Sequence, residues 1–116
     1  ENFDDTARSL RLGVRQKVAT GATSICDSLM PPTPGQLTFD INLSLLGGGL
    51  TVSDAQVCEA IREAFFRLKL VLEPGGAVAL AAALSGVVDC RDQTTVVVCS
   101  GGNIDAALFA KILSEN

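Results

Sequence analysis

Apolar residues along this chain follow two patterns, one with helical spacing and one in unbroken runs. The clearest helical pattern covers residues 53–71, where Val57, Ile61, Phe65, Leu68 and Leu72 recur on one face. Ser53 and Gln56 have the spacing of a capping box, and Glu63 and Arg67 stand one turn apart on the exposed side. A second helix is predicted over residues 74–86. Pro74 suits its first turn and Gly86 its end, and its small side chains allow close approach to a sheet or another helix, buried nearly all round. Shorter helices are expected at residues 6–10, ending before Gly13, and at residues 37–45, with Phe39, Leu43 and Leu46 on one side. The run at residues 94–99 is rich in β-branched side chains and lacks polar alternation, so it predicts a strand covered on both faces. Short strands are also expected at residues 17–19 and 50–52. The mixture implies an α/β fold with strands covered by helices.

Polar turns punctuate this pattern. The strand at residues 94–99 delivers Ser100-Gly101-Gly102-Asn103, which offers a hydroxyl, two residues without Cβ, and an amide able to cap a helix opening at Ile104. Ligands of open α/β sheets bind beyond the carboxyl ends of strands, where helix N-termini present free N–H groups. An ordinary strand-to-helix turn would use the same residues. Three prolines at residues 30–35 make a rigid turn rather than a linker. Gly47-Gly48-Gly49 is read as a connector and not as a phosphate loop, because no strand precedes it and no Gly-Lys-Ser/Thr follows.

Composition narrows the function classes. Of the 116 residues, 47% are hydrophobic, only 19% are charged and 4% are aromatic, so apolar surface is expected to be covered by further protein. A net charge of −4 without a basic cluster argues against nucleic acid and anionic membrane as partners. The longest uncharged apolar run, residues 75–88, is too short to span a bilayer. Cys26, Cys58, Cys90 and Cys99 have no Cys-x-x-Cys spacing and no histidine beside them, so zinc is disfavoured and four reduced thiols of a cytoplasmic protein are expected. Cys58 and Cys99 are read as small hydrophobes inside elements. Without His or Tyr, acid–base work falls to a carboxylate, Lys, Cys, water or a cofactor.

Two motifs then stand in a telling order. Leu72-Glu73-Pro74-Gly75-Gly76-Ala77, followed by Cys99-Ser100-Gly101-Gly102-Asn103, resembles the C-terminal part of the catalytic domain of the threonine/serine dehydratases, fold-type II pyridoxal-phosphate enzymes that include serine racemase. The resemblance extends through Asp5-Thr6-Ala7-Arg8-Ser9-Leu10, Pro34-Gly35-Gln36-Leu37-Thr38-Phe39, Thr51-Val52-Ser53-Asp54 and Arg67-Leu68-Lys69-Leu70-Val71. It implies a tryptophan synthase β-like large domain, of which residues 1–116 are the C-terminal portion. It also implies β-elimination of a hydroxy amino acid to a 2-oxo acid and ammonia.

The family's Schiff-base lysine and its tetraglycine phosphate loop have no counterpart here, since the lysines are Lys17, Lys69 and Lys111 and none has the required context. A C-terminal fragment of a larger enzyme, catalytically incomplete alone, is therefore expected. By resemblance, Ser100 faces the pyridine nitrogen, Gly101 and Glu73 line the cofactor, and Asp5 with the Phe3 carbonyl forms part of a Mg²⁺ or Ca²⁺ site. Asn103 and Lys69 match positions near a nucleotide or effector site. A capping Asn, a surface Lys, and acids at helix starts (Glu73, Asp5) account for four of these without any ligand. Ser28 stands where many members have glycine, which leaves open the choice among threonine, serine and 3-hydroxyaspartate. The expected partners are the remainder of the same enzyme and further copies of it, as a dimer or tetramer. An amino-acid racemase, a hydroxyaspartate dehydratase and a non-catalytic amino-acid-binding regulatory module are the alternatives.

Overall fold

The computed structural model describes residues 1–115. Its centre is a helix that starts as the capping pattern requires. The Ser53 hydroxyl accepts from Gln56 N at 3.2 Å while Ser53 N donates to Gln56 Oε1 at 2.8 Å, and α3 runs from there over Asp54–Glu63. The predicted helix does not continue unchanged to residue 71. Its last turn widens into a π-helical turn, Ala64–Leu68, and stops at Lys69, whose φ of 60° is left-handed. That reversal returns Leu72 to the core and leaves Leu68 exposed.

α4, Pro74–Leu84, then packs along α3. Ala60, Ala64, Ala77 and Ala81 are all buried between or beside the two helices, so the helices approach closely because no large side chain separates them. The expectation that α4 is buried all round is not met: Ala79 and Leu84 are exposed, and only one side faces α3. α5, Ala106–Ser114, closes the core with Ile112, and Phe109 meets Phe65 edge to face at 5.3 Å.

The N-terminal half is more open. α1, Asp5–Leu12, ends at Gly13 in the left-handed region, and α2, Gln36–Leu45, lies against it through the buried Phe39. Leu43 and Leu46, predicted on the same side as Phe39, are exposed. The proline turn does brace its neighbours: Pro34 O accepts from Arg15 Nε at 2.8 Å, and Pro32 O from Val18 N at 2.9 Å.

The predicted strands are not found. Among the described residues no segment is paired in a β-ladder, and residues 17–19, 50–52 and 94–99 are extended or irregular. Val96 is 85% and Val98 69% exposed, the reverse of a strand covered on both faces. A strand's N–H and C=O groups need a neighbour along their whole length, and among the described residues these segments find at most isolated hydrogen bonds, such as Val18 N to Pro32 O. The helices consequently form a slab of 40 × 39 × 20 Å whose radius of gyration, 14.7 Å, exceeds the roughly 13 Å of a compact domain this long.

Candidate functional site

Glu73 joins the two glycine-bearing motifs. It is the residue before α4, yet its carboxylate makes no cap to that helix. Its Oε2 accepts from Asn103 N at 2.9 Å, and its own N donates to Gly101 O at 3.0 Å. Glu73 thus starts α4 with its carbonyl, which accepts from Gly76 N at 3.0 Å and Ala77 N at 3.1 Å, while its carboxylate and its own N–H engage the turn at residues 101–103.

The glycines explain why the segments can meet. A Cβ on Gly76 would lie 2.5 Å from Gly101 O and 2.8 Å from Gly101 N, and one on Gly102 would lie 2.7 Å from Val71 O. A Cβ on Gly101 would lie 2.6 Å from Glu73 Oε1. Backbone thus packs on backbone, with the Glu73 carboxylate filling the remaining space. Ser100 stands exposed at the lip of this turn. The sequence singles out Gly101 by resemblance but not Gly76 or Gly102; the doubling of glycine in both motifs was the available signal.

A third segment adds a wall. Asp27–Leu29 forms a single 3₁₀ turn, and its Ser28 hydroxyl fills the space that a side chain on Gly75 would need. Ser28, singled out as the departure from the family pattern, therefore lies directly against the first turn of α4, two residues from Glu73.

Other predicted site residues are placed differently. Asp105, not Asn103, caps α5: its side chain accepts from Leu108 N at 2.9 Å, because Asp105 has the extended backbone of a cap and Leu108 is the third residue of the helix. Asn103 contributes its backbone N–H to Glu73 instead. Lys69 Nζ donates to Phe66 O at 2.8 Å within its own turn, and Lys111 pairs with Glu115 at 3.8 Å.

Asp5 is buried at 5% exposure, and that burial pushes its carboxyl above the ordinary value. The Ser9 hydroxyl donates to the Asp5 carbonyl, which ties α1 internally. Among the described residues no group of three His, Cys, Asp or Glu side chains gathers here or elsewhere. Asp5 and the Phe3 carbonyl can offer at most three oxygens where Mg²⁺ or Ca²⁺ takes six or more, so the residues present do not by themselves make a cation site. All four cysteines are free thiols; Cys26 is the buried one, and burial raises both its thiol and that of Cys58. Among the described residues no helix is long and apolar enough to cross a membrane.

Residues 1–104 match the sequence profile of the pyridoxal-phosphate dependent enzymes. The chain is 37% identical over 114 residues to serine racemase of Dictyostelium discoideum, covering 96% of this chain and 35% of that protein. It is 34% identical over 113 residues to L-threo-3-hydroxyaspartate ammonia-lyase of Pseudomonas sp, covering 97% and 35%. The crystal structure of T.th. threonine deaminase superposes with a TM-score of 0.82 at 38% identity, over 90% of this chain and 38% of that one. The chain spans about a third of the length of the curated relatives it matches. Because the match includes both the Glu73 and Ser100 motifs that the fold brings into contact, this chain belongs to the family of pyridoxal-phosphate dependent enzymes.

Proposed function

We propose that this chain is the C-terminal portion of the catalytic domain of a pyridoxal-phosphate dependent ammonia-lyase acting on a small hydroxy amino acid. The observation that carries this reading is the junction of Glu73 with residues 101–103, since it presents Ser100 beside a glycine-lined surface. When bound, the cofactor supplies the electron sink that allows loss of the Cα proton and departure of the β-hydroxyl. Ser100 would hold the ring nitrogen with a neutral hydroxyl donor, which leaves that nitrogen largely unprotonated and suits elimination. Gly101 and Glu73 would line the cofactor beside Ser100: Gly101, without a side chain, leaves room for the Glu73 carboxylate, which keeps the turn in register. The lysine that anchors the cofactor and the loop that binds its phosphate would come from outside residues 1–116. So would the other surfaces that cover the exposed apolar residues, including further copies of the enzyme in a dimer or tetramer. The free thiols suit a reducing compartment such as the cytoplasm.

Asp5 and Phe3 enter this reading only as two donors of a divalent-cation site completed elsewhere, and Asn103 and Lys69 only as positions near an effector site. Racemisation is the second reading, favoured by the 37% identity to a serine racemase. Assay of the full-length protein on L-threonine, L-serine and L-threo-3-hydroxyaspartate tests both readings. Release of a 2-oxo acid supports the ammonia-lyase, and accumulation of the D-enantiomer alone supports the racemase. Ser100→Ala should weaken cofactor binding by about 1–3 kcal/mol and lower turnover, because the ring nitrogen loses its donor. Wild-type affinity, absorbance and turnover in that variant would remove Ser100 from the site.

A further inference from the structure

The acid that opens α3 is not occupied with its own helix. Ser53 and Gln56 already satisfy the first turn, and Asp54 reaches a different segment. Its Oδ1 accepts from Ser24 Oγ at 2.6 Å, and its Oδ2 accepts from Ile25 N at 3.1 Å. With its own hydrogen directed at Asp54, the Ser24 hydroxyl is free to accept, and it does so from Cys26 N at 3.1 Å. One carboxylate thereby organises three consecutive residues, Ser24 and Ile25 through charge-assisted hydrogen bonds and Cys26 through the Ser24 hydroxyl, and Cys26 is buried in the core with Val57.

The consequence reaches the candidate site through packed atoms. Residues Asp27–Leu29 follow at once as the 3₁₀ turn that seats Ser28 on Gly75 and brings Leu29 Cγ to 3.5 Å from where a Gly75 Cβ would be. Gly75 adjoins Gly76, on which Gly101 rests, and Gly101 is bound to Glu73. Ser28 and Leu29 thus lie where a Gly75 side chain would be, so a shift of residues 24–26 is passed to the first turn of α4.

We propose that Asp54 is a positioning residue for the site: its carboxylate holds residues 24–26 in place and thereby sets where Ser28 meets the first turn of α4. Its bearing on catalysis rests on the proposed function, whereas the positional role stands on the hydrogen bonds alone.

Hydrogen exchange of the full-length protein, with and without pyridoxal phosphate, tests this. Asp54→Ala and Ser24→Ala should each speed exchange across residues 25–29 and 75–77 by about tenfold or more, and the double variant should add little to either. Ser53→Ala removes the cap of the same helix without touching Ser24, and should speed exchange only near the start of α3. The dissociation constant for pyridoxal phosphate should rise in Asp54→Ala and stay near wild type in Ser53→Ala. Identical exchange footprints for Asp54→Ala and Ser53→Ala, both confined to α3, would overturn the proposal. If Asp54→Ala does not fold, Ser24→Ala carries the same comparison, since it keeps the charge at the helix start. Failure of the wild-type protein to bind pyridoxal phosphate would remove the proposed function, and the exchange comparison would still decide for or against Asp54.

Discussion

Residues 94–99 and residues 100–103 are consecutive in the chain but are held in opposite ways. The first run is apolar, extended and open, with Val96 and Val98 facing solvent. The second is polar and glycine-rich, yet it is locked by two hydrogen bonds to Glu73 and by contact with Gly76. Hydrophobicity alone therefore does not decide what is held. A turn can be fixed by one carboxylate and one backbone N–H at the start of a neighbouring helix, whereas an extended segment needs a partner along its whole length to satisfy its backbone and cover its side chains.

The largest effect is expected where the locked turn is forced apart. Gly76→Ala would drive a methyl into the backbone of Gly101, and neither side can yield without moving a helix or the turn. A loss of about 3 kcal/mol in urea unfolding is expected, against a change within about 0.5 kcal/mol for Gly47→Ala, which meets nothing within 4 Å. Equal stabilities for the two variants would dissolve the contrast between the locked turn and open chain.

A smaller effect is expected at Asp5. Its folded-state carboxyl titrates above the ordinary value of 3.8, so between the two values the folded protein binds more protons than the unfolded one. That contribution to stability is complete below the ordinary value and is lost as pH rises through the raised one. Asp5→Asn should therefore lack this decline, melting higher than wild type near neutral pH without metal and gaining nothing as the pH is lowered. Parallel melting curves for the two proteins across the acid range would refute the burial argument. Stabilisation of wild type by Mg²⁺ that persists in Asp5→Asn would remove Asp5 from any cation site.

The smallest effect is expected at Val96. With its side chain in solvent, Val96→Thr should change the stability of residues 1–116 alone by no more than about 0.5 kcal/mol. In the full-length protein, where proposed neighbours cover this segment, the same substitution should cost more. Equal small changes in both would mean that residues 94–99 stay uncovered.

The helical half of the fold could be read from the sequence wherever the signal was local. The Ser53–Gln56 capping box, Gly13 ending α1, Pro74 opening α4 and the Val57–Ile61 face depend on residues within one or two turns of each other, and all are found. The Glu73 and Ser100-Gly101 motifs, which the fold brings together, could be picked out as a pair because motifs in family order carry more information than spacing does. Asn103 was misjudged as the cap because Asp105, two residues on, competes for the same function, and only the backbone angles decide between them.

Local chemistry in the sequence thus determined where helices begin and end, which faces are apolar, and that glycine pairs mark two turns. Tertiary structure alone decided that those segments interlock, that the Glu73 carboxylate serves the neighbouring turn, that Asp54 reaches back to Ser24, and that the valine run finds no partner among the described residues. The physical reason is range. Caps and helical periodicity are satisfied within a few residues, whereas a backbone-to-backbone contact such as Gly76 with Gly101, or the pairing of a strand, depends on atoms that the chain brings together only after it has folded.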